Sequence, residues 1–448
     1  MKKRLWTGLA AMAAFGMVLG LSGCGGGQSA SSASEAGGSE QAVDAGDSGE
    51  QVTISFWHKY CQPGQVEVFE EICKEYEEAN PNVKIEISTT TDDDMKTKLQ
   101  VALGSSELPD VYQTWSGEYC EKFARGGYAL DLTPYLEEDP EWKDSFYPAC
   151  YSAFTYDDAQ YALPTRFDGQ MFVYKKSIFD QYGLEEPETW ADLMAICETL
   201  KQNGVTPFVL GDGLTWDAPH WYGSLWQKCV PEEILELQDF NVKTVKLDDP
   251  GYLKGLSYFT EVMDKGYFLE NCVSLEHNMA METFYAGEGA MMYVEVVEFN
   301  DVYNGLDGDF GFFAMPTIEG EPGNQEKVFG APEGMIVNAK SEHVDESVAF
   351  LKYLTSLDVQ KKLVAEAKHT SSTIGATTEE NAIPQLIEVM DEIMNFSGMS
   401  NWTDCGLEAS IVDVMRAQGQ EFYAGSITAE QYMDAMKEAA TKVRESNN

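Results

Sequence analysis

Read for the spacing of apolar and polar positions, the chain divides into three stretches. Met1-Lys2-Lys3-Arg4 is followed by an apolar run from Leu5 to Leu21, and then a polar stretch reaches Gln51 with no aromatic residue. From Val52 onward, regular periods appear. Val52 to Trp57 reads as a strand, and Pro63 to Asn80 as a helix with Val66, Phe69, Cys73 and Tyr76 on one face. Val83 to Ser88, Asp93 to Leu103 with Gly104 as its stop, and Val111 to Trp115 continue the series as strand, helix and strand. The order β-α-β-α-β predicts a parallel sheet covered by helices. After Tyr161-Ala162-Leu163-Pro164 the pattern restarts. Gln170 to Tyr174 reads as a strand, and Thr189 to Asn203 as a helix with Thr189 and Asp192 at capping-box spacing; Pro207 to Leu210 is strand-like. A body of about 400 residues exceeds one core, so two α/β lobes in series are expected.

The first stretch has the basic start, apolar run and small residues of an export signal. Leu21-Ser22-Gly23-Cys24 resembles the lipobox of bacterial lipoproteins, which implies cleavage after residue 23 and a diacylglyceryl group on Cys24. Two further acyl-anchored properties are expected: an extracytoplasmic location at the cell membrane, and reach through the Gly/Ser/Glu-rich tether 24–51, whose typical span is about 30 Å. The formal net charge of −45 repels nucleic acid and anionic lipid and suits a solvated acidic surface. Asp92-Asp93-Asp94 lacks the spacing of a calcium loop and reads as helix-start charge; no metal or cofactor motif is present. Of nine cysteines, the eight beyond Cys24 include no CxxC pair. Cys73 and Cys197 fall on apolar helix faces, and pairing is left open.

Several segments occur in an order similar to that of carbohydrate-type extracellular solute-binding proteins, the receptors of ATP-binding-cassette importers related to maltose-binding protein. They are Tyr76-Glu77-Glu78-Ala79-Asn80-Pro81, Leu108-Pro109-Asp110-Val111, Tyr161-Ala162-Leu163-Pro164, Glu188-Thr189-Trp190-Ala191-Asp192-Leu193 and Phe284-Tyr285-Ala286-Gly287-Glu288-Gly289-Ala290-Met291. Met315-Pro316, Phe329-Gly330 and Tyr423-Ala424-Gly425-Ser426 extend the series. The resemblance implies a two-lobed periplasmic-binding-protein fold of type II, each lobe a mainly parallel sheet flanked by helices, with a helical C-terminal tail. It places lobe 1 at 52–163 plus 316–370 and lobe 2 at 164–315 plus 371–448. It further implies a monomer that captures a sugar or oligosaccharide between the lobes and delivers it to membrane permease subunits. A cationic or amino-substituted solute, or coupling to a sensor, are the alternatives; a secreted glycosidase is remote, since nucleophile and metal motifs are absent.

Sugar sites need flat apolar faces and polar forks, and open α/β sheets place sites at the carboxyl ends of strands. On that basis Trp57 and His58 follow the first strand, Trp115 and Glu118 the third, and Arg166, Phe167 and Asp168 the first crossing. Trp216, Asp217, His220 and Trp221 form a candidate loop, and Trp402 with Asp404 opens a C-terminal helix. Trp142, Trp190 and Trp226 read as core. Relatives commonly follow Ala290-Met291 with Gly and an aromatic, whereas this chain reads Met292-Tyr293-Val294-Glu295. Glu295 is then a candidate acceptor, and Asp168, Glu295 and Glu333 are expected to form an acidic pocket.

Overall fold

The computed structural model describes residues 51–396 and 398–448, apart from the side chains of Met394 and Asn395. The expected export signal, the expected lipidation site Cys24 and the expected tether up to residue 50 lie outside the described residues.

The first three strands are β1 (Val52–His58), β2 (Val83–Thr89) and β3 (Val111–Trp115). They are joined by α1 (Gln65–Ala79) and α2 (Asp92–Ser105), and β1 pairs in parallel with both neighbours. In α1 the buried stripe is Val68, Phe69, Ile72, Cys73 and Tyr76, with Val66 only half-buried. In α2 the Thr91 hydroxyl accepts from the Asp94 N–H as N-cap. The helix runs through Gly104, and the left-handed stop is Ser106, at φ 59°. Short helix α3 (Glu118–Arg125) follows β3.

The chain leaves through β4 (Leu163–Arg166) and builds a second sheet from β5 (Gln170–Tyr174), β6 (Phe208–Val209), β7 (Met291–Glu295) and β8 (Gly311–Phe313). It returns through β9 (Lys327–Phe329) to β10 (Glu333–Val337), and β11 (Gly398–Ser400) pairs with β9. The sheet orders are β2-β1-β3-β10-β4 and β8-β5-β7-β6. Each sheet is mainly parallel, as expected, with one reversed strand: β10 in the first and β5 in the second. Strand β10 runs antiparallel to β3 and β4, and β5 antiparallel to β7 and β8. Parallel pairing needs a covering crossover within the lobe, whereas β10 arrives from the other lobe and is free to run either way. Strand β4 belongs to the first sheet, so the chain crosses after Arg166.

Helices fill in as their patterns require. In α4 (Trp190–Gln202) the Thr189–Asp192 capping box is formed, and Leu193, Cys197 and Leu200 are buried. Helix α5 (Asp217–Cys229) is buried along its whole length. Phe172, Trp221, Trp226 and Tyr293 build the second core, joined by Met415 and Tyr432 of the tail helices α7 (Ala409–Tyr423) and α8 (Ala429–Ser446), which follow the short α6 (Thr403–Gly406). Ile54, Phe56 and Phe69 pack with Phe350 and Leu363 in the first core. Trp142, Trp190 and Trp226 are buried. The eight described cysteines are free thiols, seven of them buried. Among the described residues, no helix is long and apolar enough to cross a membrane.

Three backbone segments meet where the sheets face each other. Gly169 bridges Gly330, and the Gly330 N–H donates to the Ser400 carbonyl at 2.9 Å. A Cβ on Gly330 would stand 2.4 Å from the Asp168 carbonyl, so this approach requires glycine.

Candidate ligand site between the lobes

These three segments carry charged and aromatic side chains into a cleft with two connected chambers. The inner one, about 180 Å³, has as its floor Glu333 from the second segment and Trp402 and Asp404 from the third. Lys59, Trp115 and the first turn of α2 form the wall on the first lobe. Trp216, His220, Glu295 and Arg416 form the wall on the second. The outer chamber, about 910 Å³, shares Lys59, Asp92 and Glu295 with it and opens past Tyr60, Arg166, Asn278, Met279 and Tyr285.

The rings form a stepped platform. His220 stacks on Trp402 at 5.3 Å and 16° between planes, and Trp216 lies 5.1 Å from His220 and 4.6 Å from His277. Behind Trp216, His277 is bridged by Asp217 at 2.7 Å and Glu298 at 2.5 Å. Trp115 faces two ammonium groups, with Lys96 Nζ 4.9 Å and Lys59 Nζ 5.5 Å from its ring centre.

The charges alternate along an unbroken ribbon. Asp93 meets Arg416 at 3.3 Å, Arg416 meets Asp404 at 3.1 Å, and Asp404 stands 3.9 Å from Lys96. Lys96 is 3.0 Å from Asp92, Asp92 2.7 Å from Lys59, and Lys59 2.5 Å from Glu333. Glu333 is 3.9 Å from Arg166, which reaches Asp168 at 3.4 Å. Burial works to raise the pKa of Asp404, but His220, Lys96 and Arg416 outweigh it and hold the carboxyl well below its usual range. Asp168, more deeply enclosed, is pushed up to about 7 by burial despite Arg166. Burial and then Asp168 raise Glu295 well above the ordinary carboxylate value. Of the three acids expected to form a pocket, Glu333 is matched by Lys59 and Arg166, and Asp168 by Arg166, whereas Glu295 faces, of the described basic residues, only His220, at 3.9 Å. Among the described residues, no group of His, Cys, Asp and Glu is arranged to hold a metal ion.

Of the residues singled out from sequence, Trp115, Trp216, Glu295, Glu333, Trp402 and Asp404 line the inner chamber together with His220, and Arg166 lines the outer one. Asp168 lies fully buried beneath Arg166. The others stand elsewhere. Register explains Trp57 and His58: Trp57 pairs with Tyr112, three residues or about 10 Å behind Trp115. The Trp57 ring is covered by Lys98 Nζ at 3.6 Å. His58 is stacked on Phe69 in the core, its Nδ1 accepting from the Tyr60 N–H, and burial lowers its pKa to about 3. Glu118 forms a two-pronged pair with Arg125 within α3. Phe167 is core, and Asp217 is taken up by His277. The candidate loop at Trp216 is the start of α5, whose inner face draws Trp221 into the core.

Lys59, Lys96 and Arg416 were absent from the sequence-based set, as was Asp92 in any role beyond helix-start charge. Asp92 and Lys96 stand at i,i+4 on a helix that begins at a strand end, which is the signal that would have found them. Nothing local marks Arg416.

A profile of the family described as bacterial extracellular solute-binding protein matches residues 62–361, and the chain belongs to that family. Among its relatives, an uncharacterized ABC transporter extracellular-binding protein of Pyrococcus horikoshii is 23% identical over 68% of this chain and 68% of its own. The multiple sugar-binding protein of Streptococcus mutans is 24% identical over 70% of this chain and 73% of its own. Among solved structures, a chitin oligosaccharide binding protein superposes with a TM-score of 0.80 at 22% identity, covering 89% of this chain and 100% of the other. The fold is thus the two-lobed one of periplasmic sugar-binding proteins.

Proposed function

We propose that the protein is the receptor of an ATP-binding-cassette importer, and that it captures a neutral oligosaccharide and delivers it to membrane permease subunits. The observation that carries this is the inner chamber, where Trp115, Trp216, Trp402 and His220 stand beside charges already paired with one another. Ring faces suit the C–H surfaces of a pyranose, and charged groups make strong hydrogen bonds to its hydroxyls. A ligand ion meeting Lys59, Glu333 or Arg416 would have to break a buried pair and leave one partner uncompensated, which is strongly unfavourable. One sugar ring fits the inner chamber, and the wider outer one takes further units. The names of the relatives support the same class.

In this reading the monomer's lobes comprise about 52–166 with 333–376 and about 170–329 with 377–448. They close on the ligand around the glycine crossing, and the permease reads the closed state. Cys24 carries the lipid, and the protein binds its ligand without turning it over. A thermal-shift panel of neutral oligosaccharides, amino sugars, uronates and polyamines tests this. A neutral oligosaccharide at 100 times its dissociation constant adds about 2.7 kcal/mol of stability. A shift with polyamines or amino sugars alone would overturn neutrality, and sustained hydrolysis of a nitrophenyl glycoside would overturn the receptor reading.

A further inference from the structure

Arg416 differs from the other cations of the ribbon in coming from the second lobe, and with Lys96, which stands 3.9 Å from Asp404, it joins the two lobes. Its helix, α7, packs into the core of the second lobe through Met415 and Phe422. One arm of its guanidinium, Nη1, reaches Asp93 in the first turn of α2 on the first lobe. The other, Nη2, holds Oδ2 of Asp404 in the cleft floor, with the pair largely withdrawn from solvent. Oδ1 of Asp404 is buried in the chamber wall beyond hydrogen-bond distance of any partner, with His220 Nε2 3.9 Å away, and the indole N–H of Trp402, two residues before, is likewise buried and unpaired. These are an acceptor and a donor on two residues that line the same chamber, one of them part of the ring platform. Leaving either buried without a partner is unfavourable, so both point to a ligand's hydroxyl groups.

Resting on the reading of this chamber as a sugar site, we infer that Arg416 is a positioning residue that couples lobe closure to the orientation of Asp404. When α2 swings against α7, Asp93 locks the guanidinium, and the guanidinium fixes Oδ2 so that Oδ1 faces the ligand. When the lobes part, Arg416 keeps Asp404 but loses Asp93. Arginine suits the task because its planar fork engages two carboxylates at once, which a lysine ammonium on a flexible stem does less well. Asp93 is more than half exposed, so the wall-to-wall bond is screened by salt and shifts the closed-to-open ratio by about fivefold at most.

Amide hydrogen exchange of the whole chain in detergent, without sugar, tests the coupling through peptides covering residues 59–65 and 400–406. In low salt, exchange in Asp93→Asn and Arg416→Gln should be several-fold faster than in the unaltered protein. One molar NaCl should bring the unaltered protein to the same rate, and Asp93→Asn should add nothing to Arg416→Gln. Equal exchange in all samples, or full additivity of the two changes, would overturn the inference. For any saccharide that shifts melting, Arg416→Gln should weaken affinity more than Asp93→Asn, with Arg416→Lys between them; equal affinities in all three would overturn the role assigned to Asp404. A panel without a saccharide response would reject the sugar reading and leave the exchange result to stand by itself.

Discussion

The inner and outer chambers share three side chains and differ in nearly everything else. The inner one is small, and its rings and charges are fixed by partners on both lobes and the floor. The outer one is about five times larger, and side chains such as Asn278 and the half-exposed Met279 stand there without such bracing. Preorganised groups lose little freedom on binding, whereas mobile ones must be ordered first. On the proposed reading, the difference teaches that selectivity and affinity would reside in the inner chamber and tolerance of chain length in the outer one.

The heaviest blow to that division is Trp402→Ala, which removes the platform under His220 and should weaken saccharide affinity by about 100-fold, as for other buried aromatic anchors. Calorimetry giving less than a fivefold loss would move the recognition element elsewhere. Glu295→Ala should weaken binding by more than tenfold, because Glu295 lies where both chambers meet; unchanged affinity would remove it from the site. Met279→Ala should cost under threefold for a short ligand. A larger loss would show that the outer chamber recognises sugar as tightly as the inner one.

The carboxylates extend the comparison. Asp404 is surrounded by cations, whereas Asp212, on the turn before α5, has only the Ala218 N–H on one oxygen, and burial raises its pKa to about 7. The raised value favours the protonated form in the folded state. Its contribution to stability is full below the unfolded pKa of about 3.9 and is lost as pH rises through 7. Asp212→Asn should therefore melt a few degrees higher than the unaltered protein at pH 8 and show a flatter pH profile with affinity unchanged. An identical pH profile would place the titration on another group.

Elements whose code is local were legible in the sequence. The Thr189–Asp192 capping box and the strand Gln170–Tyr174 form where the pattern puts them. Trp115 and Trp402 reached the cleft, while Trp57, which shares a strand-end position with Trp115, did not. What separates them is register, a property of two strands together that neither carries alone. Arg416 was invisible for a related reason: its partners, Asp93 and Asp404, lie 323 and 12 residues away in the chain. Trp216 and Trp221 show the limit at short range, since five residues on α5 separate a cleft wall from the core.

The free thiols bear on how such a protein is made. A chain that reaches its final compartment by export has to fold there, and one stapled by disulfides waits on an oxidant and on the reshuffling of wrong pairs, over seconds to hours. Here the described cysteines serve as small apolar fillers, seven of the eight out of reach of solvent. The body can assemble at the pace of its own packing, and of its described thiols only Cys61 meets the redox state of the surroundings.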